Sequence, residues 1–437
     1  MNQKFKNHLI PIFLFTSFFF LWDVSLNFIS LNYFKGVTAN YLIVFLLLPI
    51  FYLFVKERNI SILRLFNQQK YITYLIIFIV AQFFLVNLLN NQIIEYYEIF
   101  NLFYFIILGI IYCHYRNFIS ENFEKILVLY LVIFICFSLY EQSPYYNVGQ
   151  CNNKFFLIDI IQNIPAVNLS NSIYLENSHL AMMMVGVIFS SLFMLIKSKK
   201  NNIFLLFLLF ISVIITILNY STTFFIGYFF CLFIIFIFLY KKFTKKFWIY
   251  SFLFLIMNCV IFFTDGNCLK KITDFTPKGV IEKTLKKKAD NEDPRNLTTL
   301  IYERSMILTL NTFFNHPLGW GNDGMDNATI DLLDKDEYEN TYEFARLFNL
   351  KDGLSNFFKI LTEFGFFSVF VCYFFLRYLM GIKKINSYNI FIISLFITLS
   401  IRGAGYFNGG FIFCIFEFFY LKELNKKNKI TNQRNIL

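Results

Sequence analysis

The feature that most constrains this chain is a series of apolar runs, most of them close to the length of a membrane span, separated by short polar segments. An α-helix needs about 20 mostly apolar residues to cross a bilayer. Apolar residues make up 57% of the 437 residues and charged residues only 15%, so the chain lacks the polar side chains that cover a large soluble fold. The pattern excludes disorder, a coiled coil, collagen and a disulfide-dense module, and it predicts an all-α polytopic membrane protein.

The apolar runs predict about 12 transmembrane helices. The first run contains Asp23 and continues without a small-residue cleavage site, which favours an uncleaved span over a removed signal. The predicted spans are 8–30, 39–55, 71–90, 99–113, 126–140, 179–196, 203–218, 222–240, 247–263, 354–376, 388–401 and 405–421.

Lysine and arginine divide unevenly between the two sides of the predicted membrane. With the N-terminus inside, the short outward loops contain only Lys35, Lys154 and Arg402, whereas the inward segments contain most of the remaining lysines and arginines of short loops. Cytoplasmic loops carry the excess of positive charge in membrane proteins. The sequence therefore predicts that both termini are cytoplasmic, and that the net charge of +11 reflects topology and contact with anionic lipid rather than nucleic acid.

Two outward segments are long, at 141–178 and 264–352. The chain is therefore divided into helices 1–9 within 1–263, a large loop at 264–352, and helices 10–12 with a basic tail at 353–437. Within the large loop, the apolar periodicity predicts a helix from Thr298 to Asn315 that ends at His316-Pro317.

Cysteine and acidic residues give no metal or redox motif. No CxxC pair is present, and Asp334-Lys-Asp336 lies in a hydrophilic run that is typical of a solvated acidic turn. Cys151 and Cys268 fall on the same predicted side, and the sequence leaves open whether they form a disulfide.

Polar residues collect in four clusters on the predicted outward side, where an ionisable group near a span is a functional candidate. In the first cluster, Glu176 and His179 are three residues apart, so on a helix they share a face. The carboxylate then orients the imidazole, or else the pair is an interfacial polar pair beside a helix cap. The local sequence favours neither interpretation.

The second cluster joins Glu303-Arg304 to a glycine-rich turn that contains Gly319 and Gly321. The arginine fork suits a phosphate group, and positive-φ glycines allow backbone N–H groups to approach an oxyanion. A glycine-rich turn after a helix is also common in ordinary loops.

The third and fourth clusters lie at the ends of predicted spans. Ser355 and Asn356 begin a span, where a helix cap is the simpler local explanation. Arg402 and Tyr406 lie between the last two spans, where the arginine requires an anion that a lipid phosphate is able to supply.

In chain order the clusters read Glu176-Asn-Ser178-His179-Leu-Ala181, Glu303-Arg304 with Phe313-Phe-Asn-His316-Pro317-Leu318-Gly319-Trp-Gly321, Ser355-Asn356 with Leu361-Thr-Glu363-Phe-Gly365, and Arg402-Gly403-Ala-Gly405-Tyr406-Phe407. This order resembles the O-antigen and capsule polymerase family, part of the wider polymerase–ligase superfamily, over roughly residues 170–410. The related ligases usually carry a histidine where this chain has Gly353-Leu-Ser355-Asn356, which favours a polymerase.

The resemblance implies a multi-pass, GT-C-like glycosyltransferase of the bacterial inner membrane, with its active site facing the periplasm and 264–352 as a large helical periplasmic loop. Donor and acceptor would be undecaprenyl-diphosphate-linked oligosaccharides, polymerised into O-antigen or capsular polysaccharide without a metal or other cofactor. The expected partners are these lipids and the bilayer, with no nucleic acid. Whether a chain-length regulator protein also binds is left open.

These substrates suggest roles for the clustered residues. His179 or Glu176 would accept the proton of the attacking hydroxyl, and Arg304 and Arg402 would hold the diphosphate that leaves. The remaining candidates for the substrate site are Gly319, Gly321, Ser355, Asn356 and Tyr406. An O-antigen ligase, which transfers polymer to lipid A-core, is the nearest alternative. A flippase or transporter of lipid-linked oligosaccharide is the second, although it would more typically show two related halves.

Overall fold

The computed structural model describes residues 70–89, 96–140, 177–198, 202–218, 222–264, 297–321, 324–333, 355–382, 384–403 and 410–420. Within these ranges the chain forms α-helices and two short 3-10 turns, and no strand. The helices are α1 (Lys70–Leu89), α2 (Tyr96–Tyr140), α3 (Asn177–Lys197), α4 (Ile203–Leu218), α5 (Thr222–Leu239), α6 (Lys245–Thr264), α7 (Leu297–Asn315), α8 (Met325–Leu333), α9 (Asn356–Phe364), α10 (Ser368–Gly381), α11 (Ser387–Ile401) and α12 (Gly410–Tyr420).

Several of these helices have the length and apolar character of membrane spans. Three segments are long and apolar enough to cross a bilayer, namely Leu180–Lys197, Thr223–Lys242 and Asn356–Gly381. Shorter apolar helices occupy much of α1, α4, α11 and α12. The predicted all-α fold with membrane-spanning helices is therefore supported for the described residues. The number of crossings and the assignment of sides stay predictions, and the predicted spans 8–30 and 39–55 lie outside the described residues.

The outer surface of the bundle is apolar where it is exposed. On α4, α5, α6 and α10, large apolar side chains such as Phe207, Phe233, Leu253 and Phe370 are more than half exposed. Water-soluble monomers rarely expose contiguous apolar surface on this scale, whereas acyl chains are a favourable surrounding for it. The exposed faces of these four helices therefore fit a lipid environment.

Helix α2 corrects the predicted order of spans. The sequence predicts two spans, 99–113 and 126–140, with a polar loop between them, but residues 96–140 form one continuous helix of 45 residues. The prediction of a loop at 114–125 is wrong because a charged residue in this stretch need not lie in water. The Arg116 guanidinium is buried and makes two contacts with the Glu417 carboxylate of α12, one of them a hydrogen bond from Nε at 2.9 Å.

Two tyrosine hydroxyls complete the buried network around Glu417. Tyr112 of α2 donates to Oε2 of Glu417, and its hydroxyl also lies 2.9 Å from that of Tyr388 on α11. The guanidinium carbon of Arg116 is 4.9 Å from the centre of the Tyr420 ring. These hydrogen bonds compensate for the free-energy cost of burying the Arg116–Glu417 ion pair. The network connects α2, α11 and α12.

Helix α11 is the centre of the bundle, because every residue from 387 to 399 is buried. Helix α3 packs against it in the antiparallel direction. Ser190 donates to the carbonyl of Ser387 at 3.1 Å, and one turn further the backbone of Gly186 lies against Phe391. Helices α2, α5 and α9 also contact α11. Because α11 runs through the centre, its N-terminus and its C-terminus mark the two ends of the bundle.

The segment α9–α10 bends sharply at Gly365. Ser355 contacts the carbonyl of Ser400, whereas the Phe375 ring lies 4.6 Å from that of Phe396. On a straight helix, 20 residues span about 30 Å, but the two contact points on α11 are only about 6 Å apart along its axis. The segment therefore turns across the end of α11, and the turn is the 3-10 stretch Gly365–Phe367.

Helices α7, α8 and α9 form a small unit, here called the cap, at the C-terminal end of α11. The helix predicted at 298–315 is confirmed, with its end at His316. Leu308 of α7 packs with Met325, Ala328 and Leu332 of α8 in an apolar cluster. Ile301 and Leu308 lie on the buried face of this helix, and so does Arg304, which is only 1% exposed.

Candidate functional site

The cap is attached to the bundle by two side chains that bind the last carbonyl groups of α11. The Tyr302 hydroxyl of α7 donates to the carbonyl of Ile401, and the Ser355 hydroxyl at the start of α9 donates to that of Ser400 at 2.7 Å. C-terminal carbonyls of a helix have no partner within the helix, so they are natural anchoring points. We call the residues that meet here, Tyr302, Ser355, Asn356, Arg402 and Gly403, the cap junction.

Arg402 follows α11 directly and is half-buried in the cap junction. Its side chain forms a hydrogen bond with the Tyr302 hydroxyl. Burial raises the pKa of Tyr302 to about 12, although the nearby charge and hydrogen bond of Arg402 lower it. Tyr302 is therefore neutral at physiological pH, and its hydroxyl oxygen accepts from the permanently charged Arg402 guanidinium while its O–H donates to Ile401.

The N-terminus of α9 lies at the same place. Ser355 caps this helix by accepting from the N–H of Phe358 at 3.4 Å, which confirms the predicted cap. Asn356 is buried, and its side chain fills the space that a Cβ on Gly403 would need. Helix N-termini favour anions, so the start of α9 and the Arg402 charge have the same electrostatic preference.

Arg304 is close to the cap junction along the chain but is directed elsewhere. It follows Tyr302 by two residues, and side chains two residues apart on a helix point about 200° apart. Tyr302 faces the Phe358 ring and Arg402, whereas Arg304 lies on the buried face of α7. Arg402 therefore contacts α7 at Tyr302, within one turn of Arg304, but the two arginines lie on different sides of α7.

A buried ion pair lies on α9, behind the cap junction. Lys359 Nζ is 3.4 Å from Glu363 Oε1, and both side chains are almost fully buried. The Thr362 hydroxyl of the same helix lies 3.2 Å from that of Thr309 on α7. The sequence analysis did not select Tyr302, Lys359 or Glu363 as site residues. The signal for the ion pair was the four-residue spacing of opposite charges within an apolar helix.

The glycine-rich turn and the bend at Gly365 interlock. The N–H groups of Trp320 and Gly321 donate to the carbonyls of Thr362 and Glu363 at 3.1 and 3.0 Å, and that of Phe366 donates to Pro317 at 3.0 Å. The side-chain amide of Gln82 on α1 also donates to the Glu363 carbonyl, at 3.1 Å.

The glycines of this turn therefore have a packing role. Gly319 and Gly365 have φ of 82° and 52°. A Cβ on Gly319 would overlap the Glu363 carbonyl, and a Cβ on Gly365 would overlap the Pro317 carbonyl. The N–H of Gly319 donates to His316 at 2.8 Å, and that of Gly321 donates to Glu363. The first of these bonds closes the turn on itself and the second joins it to the end of α9, so neither N–H points at a ligand.

We expect Gly365→Ala to destabilise the protein by at least about 1–3 kcal/mol, the cost of a non-glycine residue in strained backbone, because the methyl group also meets the Pro317 carbonyl. The measurement is the unfolding temperature of the purified protein in detergent. Val369→Ala, at an exposed position of α10, is the matched control and should change little. An unchanged unfolding temperature for Gly365→Ala would contradict the interlock.

The first cluster begins at the same end of the bundle. Helix α3 pairs residue 190 with 387 and residue 186 with 391, so in the same register residue 179 is level with residue 398. The first turn of α3 therefore lies at the height of the cap junction. Glu176, Tyr406 and the side chain of His179 lie outside the described residues, as do Cys151 and Cys268.

Among the described residues, no group of three or more His, Cys, Asp or Glu side chains is arranged to hold a metal ion. The described motif segments fall into two joined groups. One group has three segments, Tyr302–Arg304, Ser355–Asn356 and Arg402–Gly403, and the other has two, the turn at 316–321 and residues 362–366. Comparison with protein-family models, curated proteins and solved structures finds no match to this chain.

Proposed function

We propose that this protein is a glycosyltransferase that polymerises oligosaccharide repeat units linked to undecaprenyl diphosphate, at the periplasmic face of a bacterial inner membrane. The observation that carries the proposal is the cap junction, where three segments distant in sequence meet around a half-buried arginine at a helix N-terminus. A cation fork and a helix N-terminus together suit a diphosphate.

In the proposed reaction, a hydroxyl of the acceptor sugar attacks C1 of the donor sugar. The C1–O bond to the lipid diphosphate breaks, and the diphosphate leaves with the electron pair. Because diphosphate is a good leaving group, the enzyme contributes mainly positioning and stabilisation of the developing negative charge. Arg402 would contact the diphosphate, and His179 or Glu176 would accept the proton of the attacking hydroxyl.

Arg304 requires a further step in this proposal. Its guanidinium is buried within the cap, whereas Arg402 is half-buried and is therefore the more accessible of the two arginines to a lipid diphosphate. Direct contact of Arg304 with the substrate needs a displacement of neighbouring residues of the cap. Without such a displacement, Arg304 would act through the field of its charge inside a low-dielectric unit.

The experiment that tests the function uses the purified full chain in liposomes that contain a defined oligosaccharide on undecaprenyl diphosphate and, as a second acceptor, lipid A-core. The proposal expects a ladder of products that grow by one repeat unit each. A single transfer to lipid A-core, with no ladder, would identify the ligase alternative. Movement of the lipid-linked oligosaccharide across the bilayer without any new glycosidic bond would identify a flippase and overturn the proposal.

A second test concerns the base. We expect His179→Ala to lower turnover by about 10²–10⁴-fold if the imidazole accepts the proton, because this is the usual contribution of a positioned general base. The control is Lys245→Ala, at an exposed position at the start of α6, which should keep the wild-type turnover. Wild-type turnover by His179→Ala, measured in the same ladder assay, would exclude His179 and leave Glu176 as the candidate.

A further inference from the structure

Helix α7 has an exposed apolar stripe on the side opposite its buried face. Met306, Leu310 and Phe314 are spaced four residues apart and are 52%, 51% and 84% exposed. Side chains at this spacing lie one above another on a helix. The three stripe positions carry no charge, and Glu303 lies on the same face one turn before Met306. At its other end the stripe continues into the exposed Leu318 of the turn that follows. The sequence analysis expected this helix to belong to a solvated loop, where such a stripe would be unfavourable.

The end of α7, where the stripe finishes, lies beside the bend that leads into α10, the helix that completes the candidate span Asn356–Gly381. The Phe313 ring lies 5.3 Å from that of Phe366, and the Phe366 N–H donates to the carbonyl of Pro317. Phe366, Val369 and Phe370 are 58%, 54% and 56% exposed. The end of α7 therefore adjoins a surface that already fits acyl chains.

Helix α1 shows that the apolar zone reaches the height of the cap. Its Phe78 ring lies 5.0 Å from that of Phe367, and Gln82 donates to Glu363, so α1 rises alongside the bend towards the cap. The helix continues for seven residues beyond Gln82, which is about 10 Å. Over that rise it exposes Phe84, Leu85, Leu88 and Leu89. The apolar surround thus extends past the bend to the level of α9 and the end of α7.

We propose that α7 lies within the edge of the bilayer, with Met306, Leu310 and Phe314 in contact with the acyl chains of membrane lipids. The stripe is apolar, ends beside the bend that leads into the lipid-fitting face of α10, and lies at a height where α1 also exposes large apolar side chains. Transfer of such side chains from water to an apolar surround is favourable. This face of α7 is then seated in the membrane rather than held above it, independently of the reaction the protein catalyses.

The test places a fluorescent amino acid by nonsense suppression at 306, 310 or 314, one site at a time, in the full chain reconstituted in liposomes. Two quenchers are compared: a nitroxide on the acyl chains and iodide in the aqueous phase. Position 370 on α10 is the lipid-facing control, and position 327, an exposed asparagine of α8, is the water-facing control.

The proposal expects loss of fluorescence with the lipid nitroxide and little loss with iodide at the three stripe positions, as at position 370. Stronger quenching by iodide, as at position 327, would show that the stripe faces water and would overturn the proposal. Protection from both quenchers would show that another protein or a second copy of this chain covers the stripe, and it would overturn the proposal equally.

Discussion

Replacement of Arg402 by alanine is expected to lower the rate of polymer formation by about 10²–10³-fold, the usual cost of removing one preorganised donor to a developing negative charge. The reason is the position of Arg402, which is held by Tyr302 at the start of α9 and is exposed enough to receive a diphosphate. The measurement is the initial rate of ladder formation by equal amounts of reconstituted protein.

Two further variants separate charge from geometry at this position. Arg402→Lys keeps the charge but loses the planar fork, so we expect a rate between those of the wild type and the alanine variant. Arg377→Ala removes an exposed arginine of α10 and is the matched control, which should retain the wild-type rate. Wild-type chain lengths and rate for Arg402→Ala would remove this arginine from the mechanism.

Arg304→Ala belongs to the same experiment, and we expect this variant to abolish polymer while the protein still inserts. Because Arg304 is buried, its removal can also loosen the cap, so the unfolding temperature must be measured beside the rate. A stable variant with a lost ladder supports a role for the charge. A stable variant with a normal ladder would leave Arg304 outside the mechanism.

The largest expected effect on stability is at Glu417. We expect Glu417→Ala to destabilise the bundle by about 3–5 kcal/mol, because it leaves the buried Arg116 guanidinium without its ion-pair partner. The change in the free energy of unfolding is measured in detergent, with circular dichroism as the signal for unfolding. Glu121→Ala, at an exposed acidic residue of the same long helix as Arg116, is the control and should be nearly neutral.

A paired replacement tests the cause. Arg116→Met combined with Glu417→Leu removes both charges, so it should recover much of the loss seen in Glu417→Ala. A double variant as unstable as the single one would mean that packing or the tyrosine hydrogen bonds, rather than the unpaired charge, determine stability here. A stable Glu417→Ala variant would contradict the structural role of the network.

Hydropathy predicted most of the described helices because a span must be apolar over nearly its whole length. The helices found at 177–197, 203–218 and 245–264 begin or end within two residues of the predicted spans. The hydropathy prediction failed at 96–140, where a loop was predicted around the charged residues Arg116, Glu124 and Lys125. Composition does not reveal that Arg116 is paired with a residue 301 positions later, and that pairing allows the helix to continue.

The candidate site was likewise predicted only in part from the sequence. The order of the motifs predicted that distant segments would meet, and Ser355, Asn356 and Arg402 do meet at the cap junction. The roles of Gly319 and Gly321 could not be predicted, because the same positive-φ backbone serves either a ligand or a packed turn. Tyr302 was missed because an isolated tyrosine carries no signal in a chain with 27 of them.

The central claim, that a lipid diphosphate binds at the cap junction, is tested most directly by photo-crosslinking. A photoreactive oligosaccharide linked to polyprenyl diphosphate is bound to the reconstituted protein, and the labelled peptides are mapped by mass spectrometry. The account predicts labels within 301–305, 355–359 and 400–403, with loss of labelling in Arg402→Ala. Labels confined to the opposite end of α11, around Arg116 and Glu417, would contradict it.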